Sequence, residues 1–275
     1  MEFLKDLITL FDLRMPQPEP YGLFHLLFLF YSVAFGVFLC VTHKKGDDAR
    51  VRRAVAITAV IVLLLEAYKM FNYTFTWGEN GLQADFQWYA FPWQFCSMPM
   101  YVGFLTIFFR RGRIHKSLCA FLATYAIFAG ICVMLYPSTV FIETAGINVQ
   151  TMICHGSMIT IGIYLWYSGY VKAEHKTILR ALPVFVAALL VAIFINELAF
   201  VTGLLETDNV NMFYVSPHCD PHLPVYSTVQ EMVPYPWCLL IYVAAFTAAA
   251  YVISLIVMLI RLIYALVARN KIVKF

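Results

Sequence analysis

Residues 43–73 read HKKGDDARVRRAVAITAVIVLLLEAYKMFNY, and this stretch decides the fold. Five lysines and arginines lie in its first eleven residues, and the twenty residues that follow are mostly apolar. About 20 apolar residues, rising about 1.5 Å each along a helix, cross the hydrocarbon core of a bilayer. Basic residues beside such a segment are retained on the cytoplasmic face during insertion. The stretch therefore predicts a transmembrane helix that runs from the cytoplasm outward.

The other connections between apolar segments alternate in basic content in the same way. The first, third and fifth connections carry Lys or Arg, whereas residues 75–88, 137–148 and 203–235 carry neither. The pattern predicts an all-α, polytopic membrane protein, a seven-helix transmembrane bundle with its N-terminus outside and its C-terminus in the cytoplasm. The predicted spans are residues 22–42, 54–73, 89–109, 117–136, 149–170, 178–202 and 236–260.

The composition leaves little room for anything but this bundle. Hydrophobic residues make up 62% of the chain and charged residues 13%, which excludes an ordinary soluble domain. We predict an outer, interfacial amphipathic segment at 1–21, the bundle at 22–262 with a possible lid at 203–235, and a basic cytoplasmic tail at 263–275. The net charge of +3 suits contact with anionic lipid rather than nucleic acid. Membrane lipids are the expected partners, and the sequence does not indicate an oligomeric state.

Polar and ionisable residues gather in the outer halves of the predicted spans. Such residues are costly inside a membrane and are therefore functional candidates. The inner halves contain no Asp, Glu, Lys, Arg or His over residues 54–65, 100–109, 160–170, 182–190 and 248–260. This distribution predicts a pocket that opens toward the outer side and is closed below, which favours a site over a path through the membrane. The candidate residues of this pocket are His25, Glu66, Lys69, Gln94, Cys96, His155, Asn196 and Glu197.

Cys96 and His155 are the pair with a specific chemical use. At about 1.5 Å per residue, both are predicted roughly 10 Å below the outer end of their spans. A thiolate can attack an ester carbonyl while an adjacent imidazole takes the thiol proton, and an acyl-enzyme forms. Pro92 and Pro99 are expected to distort the helix around Cys96, and Gly156 is expected to permit close approach of another helix. The sequence predicts that the two side chains lie at equal depth, not that they touch.

Ordinary structural roles compete with these assignments. A cysteine in a span is commonly a small packing residue, and His155 could be a polar group bonded to a backbone carbonyl. Glu66 and Lys69, at positions i and i+3, could simply neutralise each other. Asn196 could hold two helices together, and His25 could be only an interfacial residue.

The sixth connection contains the run His218-Cys219-Asp220-Pro221-His222. These residue types can bind metal, but their spacing matches no standard zinc site, so we expect a solvated loop and no metal. The seven cysteines of the chain show no disulfide framework. No cofactor is expected.

Several short motifs in a fixed order resemble a known family. In order and spacing they are similar to the bacterial YwaF-type integral membrane proteins, which are similar to eukaryotic transmembrane protein 164. The motifs are Phe24-His25, Pro92-Trp93-Gln94-Phe95-Cys96, His155-Gly156, Asn196 followed by Asn211-Met212-Phe213-Tyr214, and Pro234-Tyr235-Pro236-Trp237.

The resemblance implies a multi-pass acyltransferase, or transacylase, that moves fatty acyl chains between glycerophospholipids, near the outer leaflet of a bacterial plasma membrane. In it Cys96 matches the cysteine nucleophile of the family and His155 matches its histidine. Gln94, Asn196 or Lys69 would then be candidates to stabilise the oxyanion.

Glu197 or Glu66 would be candidates to orient the histidine, as a third group does in a triad. The alternative function is a non-enzymatic, receptor-like or transporter-like bundle with an outward-facing polar ligand pocket. A further alternative is a structural membrane protein whose outer polar groups bind only each other.

Overall fold

The computed structural model describes residues 2–79, 81–204, 209–219 and 224–272. Helices dominate this part of the chain, joined by four single 3-10 turns and one β-hairpin. The helices are α1 (Glu2–Phe11), α2 (Leu23–Val41), α3 (Asp48–Thr74), α4 (Met98–Phe108), α5 (Gly112–Ala123), α6 (Tyr125–Leu135), α7 (Ala145–Tyr167), α8 (Lys176–Val201), α9 (Pro224–Met232) and α10 (Tyr235–Ile272). The 3-10 turns are Trp88–Ala90, Phe95–Ser97, Pro137–Thr139 and Met212–Tyr214.

Five helices in the described part of the chain are long and apolar enough to cross a membrane. They are α2, α3, α5 together with α6 as Gly112–Leu135, α8, and α10 as Tyr235–Arg269. The membrane-embedded, helical character that the sequence predicts is therefore confirmed. The remaining predicted spans correspond to α7, which has 23 residues and carries polar side chains along its length, and to the region around α4.

The third predicted span, residues 89–109, is not one continuous helix, and that prediction was wrong. Two 3-10 turns, Trp88–Ala90 and Phe95–Ser97, are joined by irregular backbone, and α-helix begins only at Met98. Pro92 and Pro99 explain the break, because a proline has no N–H to donate to the helix ladder. Pro99 lies in the first turn of α4, where that N–H would be unused, so it starts the helix rather than bending it. The depth assigned to Cys96 from a helical rise therefore no longer holds.

The fourth predicted span is bent where α5 meets α6, at Thr124. The carbonyl of Ala123 accepts a hydrogen bond from the indole of Trp166 on α7, so a side chain enters the helix ladder at this point. The Thr124 hydroxyl also donates to the carbonyl of Ala120, at 2.7 Å. Both contacts are typical causes of a bend in a helix.

The second connection forms a short antiparallel hairpin that the sequence analysis did not predict. Strand β1 (Phe75–Gly78) pairs with β2 (Gly81–Ala84), with Phe75 opposite Ala84 and Gly78 opposite Gly81. The N-terminal helix α1 is tied to the same end of the molecule. The carbonyl of Phe11 accepts hydrogen bonds from Tyr68 and Asn72 on α3, at 2.8 and 2.9 Å.

Small residues let α7 lie close to its neighbours at the centre of the bundle. A Cβ placed on Gly156 would lie 2.1 Å from the Ser32 hydroxyl of α2, and one on Gly130 of α6 would lie 2.7 Å from the carbonyl of His155. The predicted close approach at Gly156 is thus confirmed. Apolar side chains from α3, α4, α5, α6, α7, α8 and α10 form the largest core cluster.

The C-terminal helix α10 continues without a break through residue 262, where we predicted that a separate tail begins. The last residues of that tail, 273–275, lie outside the described part, as do residues 205–208 and 220–223 of the predicted lid. Within the lid region, α9 is followed directly by α10, with a turn at residues 233–234 between them.

Candidate functional site

Glu66 and Lys69 of α3 form an ion pair on the side of α3 that meets α7. The Lys69 Nζ atom lies 2.7 Å from Glu66 Oε2, and the two side chains are only 14% and 5% exposed. The other carboxylate oxygen, Oε1, accepts a hydrogen bond of 3.0 Å from the amide of Gln150 on α7. The mutual neutralisation considered for Glu66 and Lys69 is therefore present, and the pair also joins two helices.

The polar contacts continue along α7 from Gln150 to His155. The Gln150 amide oxygen accepts a hydrogen bond from the Thr151 hydroxyl at 3.3 Å, and its nitrogen lies 3.6 Å from Cys154 Sγ. The Nδ1 atom of His155 lies 2.8 Å from the Thr151 carbonyl. We call Glu66, Lys69, Gln150, Thr151, Cys154 and His155 the α3–α7 polar cluster.

The hydrogen bond to Thr151 determines the tautomer of His155. A carbonyl oxygen can only accept, so Nδ1 carries the ring proton. In the neutral ring the Nε2 atom then keeps a lone pair and can accept a proton from a neighbour. The histidine is 6% exposed, so this acceptor lies within the protein rather than in bulk water.

Cys96 lies beside the polar cluster, in the 3-10 turn Phe95–Ser97 that precedes α4. Lys69 is close enough to interact electrostatically with both Cys96 and His155, and Cys154 interacts with Cys96 in the same way. Over the residues that the structure describes, no hydrogen bond joins Cys96 to His155. The two predicted partners thus share a neighbourhood and a common cationic neighbour without a direct bond.

The amide of Gln94 is bonded at both ends to a distant loop. Its nitrogen donates to the carbonyl of Asn211, and its oxygen accepts from the backbone N–H of Phe213, each at 3.0 Å. The Asn196 amide is also bonded at both ends, in this case to the backbone of Met212. Its nitrogen donates to the Met212 carbonyl at 3.0 Å, and its oxygen accepts from the Met212 N–H at 2.6 Å. Both amides therefore hold backbone groups of one short segment.

This segment, residues 211–214, has an irregular backbone that needs such partners. Phe213 and Tyr214 have positive φ angles of 58° and 56°, which is uncommon for residues with a side chain. The carbonyl of Phe213 also accepts from the Tyr242 hydroxyl at 3.0 Å. Irregular backbone at membrane depth is tolerated where the protein itself satisfies its polar groups. We call residues 211–214 the clamped segment.

His25 and Glu197 lie in settings different from the polar cluster. The His25 ring is fully buried, accepts from the N–H of Tyr21 and donates to the carbonyl of Met134, both at 2.9 Å. It therefore joins the start of α2 to the end of α6 with both ring nitrogens in use. Glu197, whose side chain is 44% exposed, pairs instead with His218 at 3.2 Å.

The possible metal ligands of the sixth connection are only partly described. His218 pairs with Glu197 and stacks on Phe200, with ring centroids 3.7 Å apart. Cys219 donates to the carbonyl of Val210 at 3.4 Å. His222 lies outside the described residues. Among those that are described, no three His, Cys, Asp or Glu side chains come together as a metal site.

Sequence reasoning missed Gln150, Thr151 and Cys154, which connect the predicted residues to one another. Gln150 and Cys154 lie four residues apart on α7, as do Thr151 and His155, so each pair lies on one face of the helix. An amide and a hydroxyl within an apolar span were the available signal, because buried polar groups in a membrane need partners.

A sequence profile described as the TMEM164 family matches residues 20–258 of the chain, which is most of its length and includes every candidate residue named above. No curated protein and no solved structure matches it.

Proposed function

The chain belongs to the TMEM164 family, and from that premise we propose that it is a membrane-embedded acyltransferase that moves acyl chains between glycerophospholipids. Cys96 is the nucleophile and His155 the general base in this proposal. The observation that supports it best is the tautomer of His155, since the Thr151 carbonyl leaves Nε2 as a proton acceptor and Lys69 interacts electrostatically with both His155 and Cys96. Membrane lipids serve as donor, acceptor and solvent, near the outer leaflet of a bacterial plasma membrane.

The first half of the reaction forms a thioester. The sulfur of Cys96 attacks the ester carbonyl carbon of the donor phospholipid while the Nε2 atom of His155 takes the thiol proton. The tetrahedral intermediate collapses with cleavage of the carbon–oxygen ester bond. The leaving alkoxide takes the proton from the imidazolium and departs as a lysophospholipid.

The second half reverses these steps with another lipid. The free hydroxyl of a lysophospholipid acceptor gives its proton to His155 Nε2 and attacks the thioester carbonyl. The carbon–sulfur bond breaks, and Cys96 regains its proton from the imidazolium. No oxidant, metal or nucleotide is needed, because one ester is exchanged for another.

The neighbours of the pair have distinct roles in this proposal. The Lys69 ammonium, which interacts with Cys96, stabilises the negatively charged intermediate. Glu66 holds Lys69, whereas Gln94 and Asn196 position the clamped segment rather than the oxyanion. The Thr151 carbonyl, not Glu197, orients the histidine. The proposal requires Cys96 Sγ to reach Nε2 when substrate is bound, since catalytic hydrogen bonds often form only in the substrate complex.

A labelled acyl donor tests the proposal. Purified protein in vesicles that contain a phospholipid with a labelled acyl chain is expected to form a hydroxylamine-sensitive adduct. The adduct is expected in the wild type and in Cys154→Ala, the matched control in the polar cluster, and to be absent from Cys96→Ala. His155→Ala is expected to slow its formation by about 100-fold or more, the usual contribution of a general base. An adduct that persists in Cys96→Ala, or a wild type that forms none, contradicts the proposal.

A receptor-like or transporter-like bundle is the less favoured alternative. Its ligand would need polar groups that are not already satisfied, but Glu66 binds both Lys69 and Gln150. In that case Cys96→Ala would leave the function intact.

A further inference from the structure

A polar cavity lies at the far end of α4 from Cys96. Its volume is about 930 Å³, and its wall comes from the start of α3, the connection between α4 and α5, and the residues just after α7. Thr106 of α4 lines the cavity and lies eight residues beyond Met98, which is roughly 12 Å along the helix from the Cys96 turn. We call it the basic cavity, and it lies at the end that the charge pattern predicts to be cytoplasmic.

Positive charge on the wall of the basic cavity is not balanced by acidic side chains. Asp48 is the acidic residue of the wall, and in the described part of the chain none of the five cations forms a salt bridge with a carboxylate. Arg180, by comparison, pairs with Glu174 at 2.6 Å. Cations that converge on one concave surface raise the local concentration of anions. The five cations are Arg52, Arg53, Arg110, Arg111 and Lys116.

Backbone and imidazole donors face the same space. Helix α5 starts at Gly112, and no side chain caps its first N–H groups. The partial positive charge of a helix N-terminus, together with its free N–H groups, suits an anion. The His115 ring also lines the cavity, is 6% exposed, and bonds through Nε2 to the Tyr170 hydroxyl at 2.7 Å. The ring also interacts with the backbone of Phe109, which fixes its position at the cavity wall.

We propose that the basic cavity binds a phosphoryl group, carried either by a phospholipid headgroup or by a free phosphate compound. Guanidinium groups match phosphate oxygens with paired hydrogen bonds, and several of them converge here. The cavity volume is in the range of ligand pockets, so it holds a substituted phosphate as well as the bare ion. This site is separate from the acyl-transfer site and does not depend on it.

The chain itself supplies a control for ordinary surface electrostatics. Arg113 and Lys44 lie on the same two connections as the cavity residues and carry the same charge, but neither is part of the cavity wall. Replacing Arg113 and Lys44 with neutral residues removes as much charge from this end of the molecule as replacing two cavity cations, and it leaves the cavity wall unchanged. A specific phosphoryl site therefore predicts that only the cavity variants lose affinity, whereas a diffuse basic surface predicts an equal loss in both pairs.

The test is a comparison of two double variants in nanodiscs of phosphatidylcholine. The unfolding temperature is measured against increasing inorganic phosphate, and separately against increasing phosphatidic acid in the disc. One or both are expected to stabilise the wild type. Arg52→Gln/Arg110→Gln is expected to weaken the apparent affinity by about tenfold or more, as for the loss of charge-assisted hydrogen bonds. The control Lys44→Gln/Arg113→Gln is expected to keep the wild-type affinity.

The outcomes separate the sources of the phosphoryl group. Stabilisation by inorganic phosphate identifies a free phosphate, and stabilisation by phosphatidic acid alone identifies a headgroup. Arg53→Gln/Lys116→Gln serves as a second variant if the first lowers the unfolding temperature without ligand. The proposal is overturned if neither probe stabilises the wild type, if both double variants lose affinity equally, or if oleate, an anion without phosphorus, stabilises as strongly as phosphatidic acid.

Discussion

Glu66 is the residue on which the arrangement of α3 and α7 depends most directly. One carboxylate oxygen holds Lys69 and the other holds Gln150, so a single side chain joins an ion pair to a helix contact. A buried ion pair adds little net stability over apolar packing, but a buried charge left alone is strongly destabilising. The pair therefore has to be kept or removed as a unit.

Neutralising Glu66 alone is expected to destabilise the protein more than removing both charges. Loss of one partner of a buried pair typically costs about 3–5 kcal/mol. Because Lys69 retains 14% exposure, we expect about 2 kcal/mol or more for Glu66→Gln. Glu66→Gln/Lys69→Met is expected to recover much of that loss. Unfolding by titration with sodium dodecyl sulfate measures both variants, and equal losses in the single and double variants would contradict this coupling.

Among the elements, the broken third segment differs most from what the sequence predicted. Its proline positions were visible in the sequence, but the partner of its Gln94 side chain was not, because Gln94 bonds to Asn211, 117 residues later in the chain. Likewise, the length of α7 was close to the prediction, whereas its rotation toward Glu66 depends on packing at Gly156 and Gly130. The length of an apolar segment and the charges beside it can be read directly from the sequence. The rotation of a helix and the position of a loop depend on contacts with residues far away in the chain.

The clamped segment is expected to loosen when Asn196 loses its amide. Asn196→Leu leaves the N–H and carbonyl of Met212 without partners, which typically costs about 1–3 kcal/mol. Hydrogen exchange of the peptide that covers residues 209–219 is expected to become faster, with other helices unchanged. Leu198→Ala, at an exposed position of the same helix, is the matched control and is expected to leave exchange near Met212 at the wild-type rate. Unchanged protection in Asn196→Leu would show that the clamp is dispensable.

At the scale of the whole molecule, two polar regions lie at opposite ends of one apolar core. The α3–α7 polar cluster lies near the hairpin end, and the basic cavity lies at the end of the basic connections. The helical, membrane-embedded character and the family could be predicted from apolar length and ordered motifs, whereas the count of seven spans and their orientation stay predictions. The basic cavity was not predicted. In the sequence its arginines indicate only membrane topology, and the sequence does not show that residues from three connections lie together in the fold.

The orientation of the molecule in the membrane is a prediction that labelling can check. Glu79 of the hairpin and Arg113 of the third connection are both exposed, and the charge pattern assigns them to opposite faces. In intact cells, a membrane-impermeant maleimide is expected to label Glu79→Cys above the background of the parent chain. Arg113→Cys is expected to react only after permeabilisation. The reverse pattern would invert the topology and move the polar cluster to the cytoplasmic side.

The short length of α4 has a consequence for how the protein is made. Its 11 residues extend roughly 16 Å, about half of a hydrocarbon core of about 30 Å. During synthesis, the turns before α4 therefore enter the bilayer region before the loop that binds Gln94 has been translated. The 117-residue interval to Asn211 takes roughly 6–23 s at ordinary rates of synthesis. Until then the Gln94 side chain lacks the Asn211 partner that it has in the folded protein, so this contact forms only after most of the chain has been synthesised.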